Sequence, residues 1–480
     1  MLRDLDKDPL WQADDLGKPV PDHPHAVSVA LPLWEHVIGY EEGDPAVLTK
    51  FQAGYPRFFV HPKVEALFSA AKNELARNGE NVLVFPDEKA AGRCGDYLDG
   101  ENTRVAPFRD SELHAICFPE NAMERARFFW RICGDIVSSR QSDAALAGTL
   151  SKIQSEGDAA RKCLLDRLSK LSGQAANDVF LFPSGMSAVA SLHRALCSIR
   201  PGLKCVQLDF PYVDVLKVQE QIGAGVVFLG RGDEADLTEL EDRLESGGVS
   251  GIYCEFPSNP LLRSVDLERV SRASRAAGVP LIVDDTIASV VNVDVYPFAD
   301  AVTTSLTKYF SGTGNVMAGC VILNRDSPHH DAFSDALEEN AVSLWDGDAI
   351  VLETNSRDFG ERIQRINANA ERAYHHFCGQ PGIAGVYYPL SQTPELFIQA
   401  KRRGAGCGGL LSIVHENPDD AVAFYDSLRV SKGPSLGTNF SLACPYTLLA
   451  HYTELDWAAK CGVPRHLIRI SVGVNGFPEV

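Results

Sequence analysis

Between residues 178 and 324, seven short runs of apolar and β-branched residues alternate with helix-patterned segments, a rhythm that few folds accept. A parallel strand pair needs a crossover connection, so the alternation predicts an α/β fold: a mostly parallel central sheet with helices on both faces. The strand candidates are residues 179–182, 204–208, 225–229, 251–255, 280–283, 301–304 and 319–323. Open α/β sheets bind ligands at the carboxyl ends of their strands. The polar and glycine residues that close these runs therefore fall on one rim, where chemistry is expected.

The flanks read differently. The preceding segment carries its own strand-like Asn-Val-Leu-Val-Phe-Pro and a helical pattern at 62–78, which predicts a separate lobe or long arm. After Asn324 a helical pattern at 343–378 leads into glycine-rich mixed sequence ending Ile468-Arg469-Ile470-Ser471-Val472-Gly473-Val474, which predicts a smaller C-terminal α+β domain. The expected division is 1–135, 136–325 and 326–480.

With 480 residues, 45% of them hydrophobic, the chain is long enough for two or three domains. Its formal charge of −19 argues against nucleic acid or an anionic membrane as partner, because both need a basic face. The start has no basic segment leading into an apolar core, and no apolar run reaches the ~20 residues that span a bilayer. A soluble, cytoplasmic protein is expected. Twelve cysteines stand singly with no C-x-x-C spacing, as reduced core thiols would. The pairs His329-His330 and His375-His376 lack a companion acid or cysteine at ligand spacing, so no metal site is expected.

The rim motifs are weak singly and specific as a series. Phe182-Pro183-Ser184-Gly185-Met186-Ser187-Ala188 is a strand, a small-residue turn and a helix start; its backbone N–H groups suit an anion, although taken alone an ordinary N-cap serine explains it better. Tyr212 follows a strand and suits stacking on a flat ring. Asn259, in Glu255-Phe256-Pro257-Ser258-Asn259-Pro260, could donate to a phenolate oxygen or merely close a turn. Asp284-Asp285-Thr286 puts two carboxylates at a strand end; one could keep a ring nitrogen protonated, and no Walker-type loop supports magnesium there. Ser305-Leu306-Thr307-Lys308 then precedes the run Ser311-Gly312-Thr313-Gly314-Asn315. A fixed, desolvated lysine amine condenses with an aldehyde, and hydroxyls two positions apart suit a phosphate.

The order Ser-Gly-Met, Tyr, Asn-Pro, Asp, S-x-T-K resembles the Cys/Met-metabolism family of pyridoxal-phosphate enzymes over roughly residues 136–476. The flavour of Gly39-Tyr40-Glu41-Glu42-Gly43-Asp44-Pro45 and the long N-terminal arm is similar to the fungal cystathionine γ-synthase branch. The resemblance implies a fold-type I pyridoxal-phosphate-dependent transferase. It implies that Lys308 carries the cofactor, Asp284 pairs with the ring nitrogen, Tyr212 stacks on the ring and Asn259 approaches its 3-oxygen. Ser184, Gly185, Met186, Ser305 and Thr307 would hold the phosphate. Ser435, in Pro434-Ser435-Leu436-Gly437, and Arg469 resemble substrate-carboxylate elements, where a bidentate guanidinium fork serves better than a lysine.

Some positions depart from the family pattern. Many members have Asp-Asn-Thr where this chain has Asp284-Asp285-Thr286, and V-G-L-E where it has Val472-Gly473-Val474-Asn475. The family's Tyr-x-Arg, which reaches a neighbouring subunit's phosphate, has two candidates. Val137-Ser138-Ser139-Arg140 carries serine in place of tyrosine; Gly54-Tyr55-Pro56-Arg57 keeps both residues but lies far upstream. Position relative to the cofactor domain favours Arg140. A shared site implies a homodimer, paired into a tetramer.

The expected reaction is γ-replacement on an O-acetyl- or O-succinylhomoserine through a vinylglycine-type intermediate, with Lys308 and Tyr212 moving protons. The acceptor is cysteine, or a carbon or amine nucleophile of specialised amino-acid metabolism. Lyase action ending in a keto acid and ammonia is the alternative within enzymes. A cofactor-free oligomeric scaffold is the alternative outside them.

Overall fold

The structure is a computed structural model that describes residues 3–100 and 102–477. Three sheets organise it. Glu80–Phe85 (β1), Arg104–Pro107 (β2) and His114–Pro119 (β3) form an antiparallel sheet in the order β1-β3-β2. The helix Pro62–Leu75 starts with proline in its first turn, where no N–H is missed, and buries Val64, Leu67, Phe68 and Ala71. That i, i+3, i+4, i+7 spacing makes one apolar stripe facing the small core.

The central sheet comprises Val179–Phe182 (β4), Lys204–Leu208 (β5), Val226–Leu229 (β6), Val249–Glu255 (β7), Leu281–Asp284 (β8), Ala301–Thr304 (β9) and Gly319–Leu323 (β10). Each lies within two residues of its expected bounds. The order is β4-β10-β9-β8-β7-β5-β6. Strands β5 to β9 run parallel, and β10 pairs antiparallel with both β4 and β9. All seven residues of β7 are buried, as a strand covered on both faces requires.

The third sheet, of Ile383–Tyr387 (β11), Leu410–His415 (β12), Ser431–Lys432 (β13), Leu442–Pro445 (β14) and Ile468–Ser471 (β15), has the order β11-β12-β15-β14-β13. The helical pattern at 343–378 resolves into two helices, Asp346–Asn355 and Phe359–Phe377. Between them the Ser356 hydroxyl donates to the Leu352 carbonyl at 2.8 Å, a local bond that competes with the helix ladder.

Residues 3–60 do not join the small lobe's sheet. They lie along the C-terminal sheet: Leu31 N donates to Lys432 O at 2.9 Å, Trp34 N to Asp426 Oδ1 at 2.7 Å, and Tyr425 Oη to Leu31 O at 2.7 Å. From there the arm passes over the central rim, which brings Tyr55 and Arg57 to the strand ends. Among the described residues no helix is long and apolar enough to cross a membrane. All twelve cysteines are free thiols.

Asp135 ties the lobe to the central layer. Buried, it accepts from Ser187 Oγ at 2.5 Å, Arg93 Nη2 at 2.9 Å and Arg194 Nη2 at 3.3 Å. Removing its carboxylate strands two mostly buried guanidiniums. Asp135→Ala should therefore lose about 3 kcal/mol of unfolding free energy in a urea titration, with Asp135→Asn losing less. A loss within experimental error would show that the tie carries no stability.

Candidate active site

The ends of β4, β5, β7, β8 and β9 open on one cavity, into which the arm and the C-terminal sheet also project. Its walls include Tyr55, Arg57, Gly185, Tyr212, Lys308 and Arg469. The Lys308 side chain is buried, and its Nζ donates to Tyr55 Oη at 3.0 Å and to Ser435 Oγ at 2.9 Å. Burial lowers its pKa from the usual lysine range, the Tyr55 oxygen acts against that, and the Arg469 and Arg57 charges add to the lowering. The arrangement holds a desolvated amine of lowered pKa in a fixed place, which helps condensation with an aldehyde.

One end of the cavity suits an anion. Ser184 caps the helix Gly185–Ile199 by accepting from Ser187 N at 3.0 Å. The N–H groups ahead of it have no acceptor within the helix. Gly185 is there because Ser305 closes on it: a Cβ would lie 2.8 Å from the Ser305 Cβ. Ser305 N is in turn held by Thr286 Oγ1 at 2.8 Å. The Thr307 hydroxyl is already engaged, donating to Ala318 O at 3.2 Å and accepting from Ala318 N at 3.0 Å.

The opposite pole is acidic. Asp284 accepts from Thr303 Oγ1 at 3.0 Å and from Thr286 N at 2.9 Å, and among the described residues no cationic side chain pairs with it. Burial raises its pKa. A protonated ring nitrogen is the partner such a carboxylate lacks, and the anion end, the amine and this acid together fit pyridoxal phosphate.

Tyr212 and Asn259 share a support that sequence reasoning left without a role. Glu255, the last residue of β7, is buried; its two oxygens accept from Tyr212 N at 2.6 Å and Asn259 N at 3.1 Å. Burial first, and Asp284 next, push its carboxyl well above the ordinary range. A charged residue ending a buried strand was the available signal.

Arg469, buried at 5% exposure, donates to Asn259 Oδ1 at 3.1 Å and to Ser435 O at 2.8 Å, and its guanidinium lies 4.5 Å from the centre of the Tyr446 ring. No carboxylate of the described chain pairs with it. Although it sits in β15, it therefore has no surface partner. Ser435 itself sits at φ +100, a strained value for a residue with a side chain, and this turn is what aims its hydroxyl at Lys308.

The two Tyr-x-Arg candidates go to different places. Arg140 lies outside the cavity of its own chain, pairing with Asp348 at 2.5 Å and donating to Asn315 O at 3.0 Å. Tyr55 and Arg57 line the cavity of their own chain. Arg57 donates to Tyr212 Oη at 2.6 Å and is ion-paired with the buried Asp214.

A parallel sheet with a buried lysine on its carboxyl rim, an anion cradle and a free acid defines a pyridoxal-phosphate enzyme of fold type I. Comparison with known proteins supports the assignment. The model of the Cys/Met metabolism PLP-dependent enzymes matches residues 154–480, and that of the fungal trans-sulfuration enzyme N-terminal domain matches residues 63–138. The chain is 33% identical to a cystathionine gamma-synthase of Neurospora crassa, covering 97% of this chain and 96% of that protein. It is 32% identical to the cystathionine gamma-synthase-like enzyme iboG1 of Amanita muscaria, covering 97% and 96%. A crystal structure of cystathionine gamma synthase from Xanthomonas oryzae, in complex with aminoacrylate and cysteine, superposes with a TM-score of 0.58 at 25% identity. That match covers 66% of this chain and 82% of the other. The chain belongs to the Cys/Met metabolism family of PLP-dependent enzymes.

Asp285, the departure beside Asp284, is buried; Thr304 Oγ1 donates to it at 2.5 Å. Burial pushes its carboxyl up to about 7. An unfolded aspartate titrates at about 3.9. Between those values the folded state binds the extra proton, so this group's contribution to stability falls as pH rises through that window. Asparagine cannot titrate yet keeps an oxygen for Thr304. Asp285→Asn should therefore unfold at higher denaturant than the parent at about pH 8, with the gap closing toward pH 4. A pH-independent gap would contradict the buried-proton account.

Proposed function

We propose that this enzyme catalyses γ-replacement on an O-acetyl- or O-succinylhomoserine, with cysteine or a carbon or amine nucleophile as acceptor. The observation that carries the reading is Arg469. A buried guanidinium without a carboxylate partner shares a cavity with the Lys308 amine, and both touch Ser435. An α-amino acid brings the missing carboxylate, and its α-carbon then lies within reach of the amine. The names of the relatives point to the same chemistry.

In this reading Lys308 anchors the cofactor, Asp284 holds a proton on its ring nitrogen, Tyr212 covers the ring face and Asn259 approaches its 3-oxygen. Ser184, Gly185, Met186 and Ser305 would cradle the phosphate, Thr307 would join them by turning its hydroxyl away from Ala318 O, and Arg140 would reach the phosphate of a neighbouring subunit in a homodimer or tetramer. When bound, pyridoxal phosphate supplies the electron sink that makes the protons at Cα and Cβ acidic. Lys308 Nζ, released by the substrate amine, takes those protons. Ser435 Oγ holds Nζ beside the substrate, and Arg469 fixes the carboxylate so that the Cα–H bond faces the lysine. Glu255 keeps Tyr212 and Asn259 in register by binding both backbone N–H groups. The cytoplasm is the proposed location, where the free thiols stay reduced.

The test is mass spectrometry of products from both acylhomoserines with a panel of sulfur, carbon and nitrogen nucleophiles. A substituted product carrying the acceptor on Cγ supports replacement; keto acid and ammonia with every acceptor would replace it with lyase action. Arg469→Lys should raise KM about 10- to 100-fold, the worth of a lost charge-assisted fork, while leaving cofactor absorbance intact. An unchanged KM would remove Arg469 from the carboxylate role.

A further inference from the structure

We infer that Tyr55 is an acid–base residue of this site, exchanging a proton with Lys308 during turnover, so that the chain's own N-terminal arm supplies part of the catalytic machinery. The inference rests on the γ-replacement reading. That reaction asks one lysine to remove a proton from Cα and then another from Cβ. The first proton must leave Nζ before the second is taken.

Two groups touch Nζ, Tyr55 Oη at 3.0 Å and Ser435 Oγ at 2.9 Å. An unperturbed serine hydroxyl is far too weak an acid to share the task. Tyr55 lies between two cations: Nζ is 4.6 Å from its ring centroid, and the Arg57 guanidinium carbon is 5.8 Å from it. Burial pushes the phenol up, but the Lys308 and Arg57 charges outweigh it and bring Tyr55 down to about 8. Tyr212, the residue expected from sequence to move protons, is placed differently. Arg57 Nη2 donates to its oxygen, and burial holds its phenol well above the usual range. Asp214 lies behind Arg57, and Arg469, Glu41, Glu255 and Asp284 line the other walls.

The step is simple. An N–H bond of the Lys308 ammonium breaks, the Tyr55 O–H bond forms, and the electron pair left on Nζ is free for the next abstraction. Reversed, the phenol returns a proton through Nζ when the new Cγ bond is complete. Nothing is oxidised or reduced.

The experiment begins with tyrosinate absorbance of the full-length chain freed of cofactor, titrated with alkali. One of its thirteen tyrosines should ionise near pH 8, ahead of the rest. That component should vanish in Tyr55→Phe, and in Lys308→Ala its midpoint should move upward because the neighbouring ammonium is gone. No early component in the parent, or one unmoved by either variant, would overturn the proposal. With cofactor loaded, Tyr55→Phe should lower kcat about 100-fold or more with KM little changed, and flatten the kcat profile around the same pH. A variant that keeps both kcat and its profile would overturn it too. Should no acylhomoserine give product, the substrate reading fails on its own, and the titration still judges Tyr55.

Discussion

The site depends on keeping an amine out of water and in a fixed place. Lys308 is desolvated, and Arg57 and Arg469 bring two permanent positive charges into the same cavity. Both charges add to the lowering of its pKa that burial begins. The Tyr55 oxygen opposes that lowering, and the phenol and hydroxyl that touch the amine fix its position. Elsewhere in the cavity, Arg469 has no anion, Asp284 has no cation, and the helix start before Ser187 has free donors. A ligand carrying a carboxylate, a protonated ring nitrogen and a phosphate satisfies all three together. Binding only to the folded chain, it must also stabilise it.

This balance accounts for which residues were legible in the sequence. Lys308, Asp284, Asn259 and Tyr212 each end or follow a strand of a parallel sheet, and strand ends are local signals: a buried β-branched run followed by a polar residue. The seven strands could be placed to within two residues for the same reason. Arg469 was legible through the resemblance of its segment to a family substrate-carboxylate element. Glu255 carried the strand-end signal, yet its role is to bind backbone N–H groups of other segments, which no spacing in its own strand reveals.

The arm was illegible for a different reason. Its bonds to Lys432, Asp426 and Tyr425 join residues some 400 positions apart, and a short irregular segment has no period from which such pairing could be read. Position along the chain favoured Arg140 over Tyr55 and Arg57 as the group that reaches a neighbouring subunit's phosphate, and gave no sign that Tyr55 and Arg57 enter the cavity of their own chain. In the folded chain Arg140 spends its charge on Asp348, whereas Arg57 spends its own on Asp214 and still reaches Tyr212. Proximity in sequence to the cofactor-binding strands did not translate into proximity to the cavity of the same chain.

Taken together, the contacts of one amine span the whole chain. Tyr55 comes from the arm, Lys308 from the turn after β9, and Ser435 from the turn between β13 and β14, whose backbone is also held by Arg469. On its way to the rim the arm is bound at residues 31–34 to Lys432 of β13 and to Tyr425 and Asp426 of the helix Pro418–Ser427. Neither end of the chain can set the lysine's surroundings alone. Long-range contacts of this kind carry a loop-closure cost, and without them the amine lacks its two partners. A Lys308 exposed on a half-assembled rim would be an ordinary protonated lysine. Its depressed pKa arises from burial and from Arg57 and Arg469, which are contributed by opposite ends of the sequence, and so its reactivity appears only with the complete fold.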